Sequence, residues 1–179
     1  MKWNQSSVAV IVAAVMAFAG VAGAADEQIQ VKAQVIFATE GEMIRGAVPM
    51  EKGNPLYKQL KKLFLFKNYG IITTAYTYVL SGRKAEMSLK GIMFLKLLPV
   101  IEEGKEIRLE LKWGENHYSK AEKRPYTTSI LSTTIVSADG ATTLLGGKQE
   151  SFPERGERRE KLMKIGSLIL AVTPTIIEE

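Results

Sequence analysis

TTSILSTTIVSADGATTLLGGK, residues Thr127 to Lys148, is the stretch whose reading decides the fold. Thr127 to Ser137 is rich in Thr, Ile and Val, side chains that fit a pleated, half-buried surface. Ala138-Asp139-Gly140 supplies turn chemistry, because Asp hydrogen-bonds locally and Gly reaches positive φ without steric cost. Ala141 to Leu145 resumes extended character, and Gly146-Gly147 ends it where a bend is needed or a Cβ has no room. The stretch is therefore expected to be two strands joined by a tight turn, a β-hairpin closed by a glycine pair.

The same punctuation recurs outward from it. Gln28 to Ala38 alternates, with Ile29, Val31, Ala33, Val35 and Phe37 on one face and Gln28, Gln30, Lys32 and Gln34 on the other, a half-buried strand. Ile71 to Leu80 is β-branched and aromatic, with Ile72, Thr74, Tyr76 and Tyr78 assigned to one face. Ser81-Gly82 turns the chain into Lys84 to Lys90, and these two runs are expected to form a hairpin. Ile92 to Ile101 is a further strand, joined by a Glu102-Glu103-Gly104-Lys105 turn to Glu106 to Trp113, which places Ile107, Leu109, Leu111 and Trp113 inward. Gly114 to Pro125 reads as a charged surface loop, and Glu150 to Lys164 as a charged connector with one helical turn. Ser167 to Ile177 is a final buried strand, in which Pro174 marks a sheet edge or a run past the partner strand.

One segment has helical rather than β periodicity. Asn54-Pro55 is an N-cap followed by proline at the first helical position. Leu56, Leu60, Leu63 and Phe64 then fall on one face, with Lys58, Lys61 and Lys62 away from it. Two readings stay open: a helix packed on a sheet with a solvated basic face, or a surface helix docking onto an anionic membrane or partner. The fold expected is mainly β (α+β), a small antiparallel sheet or sandwich of roughly seven or eight strands with one packed helix.

The first 24 residues are expected to be a signal peptide. Lys2 supplies a positive start, Val8 to Val21 is apolar, and Ala22-Gly23-Ala24 is a small-x-small cleavage pattern. The apolar run is short for a span, which takes about 20 residues. Residues 25–179 would then be one domain, exported to a periplasm or cell envelope. The chain has no cysteine, so no disulfide can form and the core must stabilise the fold by packing. The net charge of +5 is mild and the signs are interleaved, which argues against nucleic acid as a partner.

The residues offer little chemistry. His117 is the only histidine and stands two residues from Glu115; a zinc site needs three or four ligands. Gly146-Gly147-Lys148 lacks the first glycine and the Ser/Thr of a phosphate-binding loop. No catalytic residue, cofactor or metal is expected, and the chain is read as non-enzymatic.

The order of segments resembles the secretin homology domain, the outer-membrane pore domain of type II and type III secretion and type IV pilus machines. IQVKAQVIFA is similar to its first strand. YGIITTAYTYVLSGRKAEMSL is similar to a strand, small-residue turn and alanine-containing strand that follow. FLKLLPVIEEGKEIRLELKW is similar to the paired strands around its Glu-Gly turn, and STTIVSADGATTLLGGKQ to its Thr-rich, Asp-Gly and Gly-Gly motif. SLILAVTPTIIEE is similar to its terminal Thr-Pro strand. The likeness is to a short form: Met87 to Ile92 leaves no room for a gate insert, and no ring domain is read before residue 28.

The resemblance implies an envelope structural or assembly role linked to protein secretion, with self-association or an envelope partner engaged through sheet edges. Asp139, Gly140, Gly146, Gly147 and Pro174 are its structural motif residues. Membrane association without spanning is compatible with it. The alternative is a soluble periplasmic ligand- or peptide-binding module, whose contact surface would draw on Tyr76, Tyr78, His117, Lys58, Lys61 and Lys62.

Overall fold

The computed structural model describes residues 27–119, 123–155 and 161–178. The expected signal segment, residues 1–24, lies outside the described residues. The elements in chain order are β1 (Gln28–Thr39), β2 (Val48–Pro49), α1 (Pro55–Leu63), β3 (Asn68–Leu80), β4 (Ala85–Ser88) and β5 (Met93–Ile101). A short turn at Glu103–Lys105 leads to β6 (Glu106–Ser119), β7 (Arg124–Ala138), β8 (Thr143–Arg155) and β9 (Lys161–Ile177). They form a five-stranded sheet in the order β2-β3-β1-β9-β8 and a four-stranded sheet in the order β4-β5-β6-β7. The mainly β sandwich with one packed helix that the sequence predicts is the architecture found.

The alternation of β1 explains how the sheets stack. Ile29, Val31, Ala33, Val35 and Phe37 point into one core with Leu168, Leu170 and Val172 of β9. The facing sheet contributes Leu95, Leu97, Ile107, Leu109, Leu111 and Trp113 to the same core. The opposite face of the five-stranded sheet carries Ile36, Ala38, Ile169 and Ala171, and there α1 covers it through Leu60. The result is three layers: four-stranded sheet, five-stranded sheet, helix.

Asn54 caps α1, its Oδ1 accepting from the Leu56 amide at 2.9 Å. At the other end the Tyr69 hydroxyl donates to the Phe64 carbonyl at 2.6 Å, satisfying a group that the helix terminus leaves open. Leu63, expected on the packed face, is 66% exposed. Leu56, Tyr57, Leu60 and Phe64 fill that face instead, because Tyr57 stands edge-on to Tyr69 at 5.5 Å between ring centres and rotates the packed stripe toward itself.

The pairings correct several expectations. Thr127 to Leu145 is not a hairpin. β7 pairs with β6 and β8 pairs with β9, so Ala138-Asp139-Gly140 carries the chain from one sheet to the other. The Ala141 amide closes the turn on the Ala138 carbonyl at 3.0 Å, with Gly140 at φ +68°. Ser81-Gly82 is a second corner of the same kind: β3 lies in the larger sheet beside β1, and β4 in the smaller beside β5. A turn that twists strands together and one that crosses between layers draw on the same residues, so the turn alone does not separate them.

Two polar stretches are strand rather than loop. Gly114 to Ser119 extends β6, and Arg124 and Pro125 begin β7. Glu150 to Arg155 and Lys161 to Lys164 are the paired ends of β8 and β9, in place of the connector expected there; residues 156–160 lie outside the described residues. A bulge at Ile72 on β3 turns Ile72 toward the sandwich core and Ile71 toward α1, so Ile72 does not share a face with Tyr76 and Tyr78.

Burial raises the Tyr69 phenol above its ordinary pKa, against a smaller opposing effect of the Phe66 backbone. A raised folded-state value gives stability that is present below the ordinary phenol range and lost as pH rises through the folded value. Tyr69→Phe should cost about 1 kcal/mol at neutral pH, from the lost hydrogen bond. It should also flatten the alkaline loss of stability, read from urea denaturation across pH.

Candidate functional site

Two glycines decide where the structure leaves the sandwich. At Gly114 of β6 a Cβ would lie 2.7 Å from Cζ of Phe94 and 2.7 Å from the Thr128 carbonyl. The Phe94 ring occupies that space on the outer face of the smaller sheet, with Lys96 Nζ 5.4 Å from its centre. At Gly166 of β9 a Cβ would overlap the Phe37 ring, which crosses it from β1. The register slips beside both glycines, between Trp113 and Gly114 and between Gly146 and Gln149. Beyond them the β6–β7 and β8–β9 hairpins continue from the same end of the sandwich. Gly146-Gly147 thus lies at a register slip of β8 against β9, and the strand that the sequence reading ends at this pair runs on to Arg155.

The two hairpins are tied together by charge. Glu115 is buried, with 6% of its side chain exposed. Its Oε2 lies 3.1 Å from His117 Nε2 and 3.3 Å from Lys148 Nζ of β8. His117 stacks on Tyr126 across the β6–β7 pair, ring centres 5.1 Å apart at 20°. A carboxylate drawn out of water is held by two cationic-capable partners from two hairpins, which fixes their spacing. His117 is thereby occupied as a structural partner. Among the described residues no group of three or more metal-ligating side chains could hold an ion.

The other end of the sandwich is closed by the Asp139 corner. Asp139 Oδ1 accepts from the Ile176 amide at 2.8 Å, and the Gly140 amide donates to the Pro174 carbonyl at 2.9 Å. Pro174 pairs with Val31 of β1 on one side, while β8 begins opposite Val172. Its missing N–H therefore falls where β8 has already ended and no ladder bond is lost. That is the run past a partner strand anticipated from sequence, although β9 itself is internal to its sheet.

The remaining named residues are spread apart. Tyr76 and Tyr78 lie on the helix-bearing face of the larger sheet, Tyr78 accepting from Gln30 Nε2 at 2.6 Å. His117 lies in the other sheet's hairpin. Lys58, Lys61 and Lys62 stand exposed on α1. Two open clefts flank that helix. One of about 600 Å³ is lined by Thr39, Glu40, Phe66, Gln149 and Ile165, and one of about 700 Å³ by Met50, Tyr57, Lys61 and Tyr69. Neither contains Tyr76, Tyr78 or His117.

What sequence reading missed is the edge. β7 is fifteen residues long and forms one border of the smaller sheet; β8 forms a border of the larger. From Tyr126 to Ala138 the β7 edge has no charged residue, proline or glycine. The Thr/Ile/Val run was visible in the sequence, but its position as a border needed the pairings.

No protein-family model matches this sequence, and no curated protein does. Among solved structures the chain is similar to the type II secretin GspD of enteropathogenic Escherichia coli, at 13% identity and TM-score 0.46, over 86% of this chain and 70% of that one. It is similar to the secretin XcpQ of Pseudomonas aeruginosa at 15% identity and TM-score 0.44, over 86% of this chain and 60% of that one. The InvG secretin-domain β-barrel of the Salmonella injectisome matches at 10% identity and TM-score 0.46, over 87% of this chain and 64% of that one. The chain thus spans between 60% and 70% of the length of these secretin chains.

Lys148→Met should destabilise the fold by about 2 kcal/mol, since it removes a partner from a buried carboxylate. Combining it with Glu115→Gln should cost less than the sum of the two single changes in urea denaturation. Additive losses would show that the two residues do not act as a pair. Gly166→Ala should lower stability by about 1–3 kcal/mol through overpacking against Phe37, and Phe37→Leu in the same chain should restore part of the loss in melting temperature.

Proposed function

We propose that this chain is an exported, non-enzymatic β module of the bacterial cell envelope, secretin-like, that assembles with copies of itself or with an envelope partner through its open sheet edges. The observation that carries this reading is the β7 border. Edge strands that must stay solitary are usually protected by charges, prolines, bulges or shortness. β7 has a bulge beside Trp113–Gly114 and Arg124-Pro125 at its start, but its thirteen-residue stretch from Tyr126 to Ala138 is uncharged and otherwise unbroken. Val136 is 55% exposed on it. A border so composed is suited to receive another strand. The ordered motifs shared with the secretin homology domain support the same reading, as do Lys2, the apolar run to Val21 and Ala22-Gly23-Ala24 for export after cleavage at Ala24.

The ligand-binding alternative has less to stand on, since Tyr76 and Tyr78 are set on a different sheet from His117 and share no cleft with it.

The test is the association state of residues 25–179, whose core begins only at Ile29. Size-exclusion with light scattering should show oligomers that grow with concentration. Ser132→Lys with Thr134→Lys on β7 should shift them to monomer while leaving the far-ultraviolet circular dichroism unchanged. A strictly monomeric parent chain that also fails to co-fractionate with envelope membranes would overturn the reading.

A further inference from the structure

The helix-bearing surface has a composition that the edge-assembly reading does not use. From Lys52 to Lys67 the chain carries five lysines and no acidic residue. In that same stretch Leu63 is 66% exposed and Leu65 is 93% exposed. Both follow from the local packing. Tyr57 takes the place on the buried stripe that Leu63 would have filled, and the chain leaves α1 in extended conformation at Phe64, which turns Leu65 outward. The apolar character continues onto β9: Ile165 is 58% exposed and lines the same cleft as Phe66.

The lysines frame these side chains. Lys58 and Lys62 stand exposed on the helix. Lys61 donates to the Phe66 carbonyl at 2.7 Å, holding the exit segment against the helix end. The nearest acids are few. Glu40 faces Lys67 at 3.7 Å, Glu42 lines the cleft that Lys52, Lys61 and Lys67 also line, and Glu51 precedes the stretch. Cationic side chains around protruding leucines, on the outer side of the molecule, match a surface that is negative at its face and apolar beneath.

We propose that this surface docks on anionic phospholipid, with Leu63 and Leu65 entering the headgroup boundary and Lys58 and Lys62 meeting the phosphates. The docking is peripheral and does not depend on strand-edge assembly: it uses the outer face of the larger sheet, whereas β7 borders the smaller one. Among the described residues no helix is long and apolar enough to cross a membrane, so the contact made by α1 is with the surface.

The absence of cysteine allows a local test in the full chain. Gln59→Cys, one turn before Leu63 on the exposed side of α1, takes a polarity-sensitive dye. Lys112→Cys, on the outer face of the opposite sheet, takes the same dye as a reference. Vesicles of phosphatidylcholine with phosphatidylglycerol should blue-shift the dye at residue 59, and vesicles of phosphatidylcholine alone should not. The dye at residue 112 should be unmoved by either. High salt should reverse the shift. Lys58→Glu and Lys62→Glu should each weaken the response by about fivefold or more. Leu65→Ser should weaken it by about tenfold. All three positions are exposed, so their urea denaturation should match the parent. A dye at residue 59 that ignores anionic vesicles would overturn the proposal, as would one that responds equally to neutral vesicles or is unaffected by these substitutions. Because the readout is local, lipid binding by Val8 to Val21 cannot imitate it.

Discussion

The structure depends on one strand being buried on both of its faces. From Ala33 to Thr39 every side chain of β1 is buried, and from Gln28 to Lys32 the inward set alone is. A strand in that position needs a neighbour on each edge and a cover on each face. β3 and β9 supply the edges, the four-stranded sheet covers one face, and α1 covers the other. Each remaining feature is a response to that demand. The bulge at Ile72 lets one strand serve two cores, and Tyr69 both fills the second core and holds the end of the helix that closes it.

Because the larger sheet is the middle layer, its strands cannot be extended arbitrarily without exposing apolar rows. The chain manages this by changing composition where the strands outrun their cover. Past Trp113 and Ile165 the sequence becomes charged and polar, and glycines at 114 and 166 make room there for the Phe94 ring on the outer face and the Phe37 ring in the core. The Glu115 carboxylate, with Lys148 reaching it from β8, joins the projecting hairpins by charge one residue beyond Gly114. Packing ends and electrostatics begins within two residues.

This arrangement explains what could be read in the chain and what could not. Alternation is a local property, so β1, β5 and the inward set of β6 were legible, as were the Asn54 cap and the Glu102 to Lys105 turn. Pairing is not local. Asp139-Gly140 and Ser81-Gly82 have hairpin chemistry but lie at corners, because the strand that follows each finds a better partner elsewhere. The polar hairpin ends carry no apolar alternation in their sequence, and that alternation is the signal that marks a half-buried strand. Leu63 misled for a related reason: helical spacing gives the direction of a side chain, while the competing bulk of Tyr57 decided which direction the core would take. Gly146 and Gly147 do not end their strand, since β8 runs on to Arg155 past a register slip, and Tyr76 and Tyr78 lie on a different sheet from His117.

The adjacency of β1 and β9 has a kinetic side. Gln28 pairs with Ile177, so the middle layer joins residues from nearly opposite ends of the described chain. Closing so large a loop is entropically demanding, and folds ruled by such distant pairings form slowly. Until β9 arrives, β1 has one open edge and no complete core on which to settle. The central layer is therefore complete only once β9 has docked on β1.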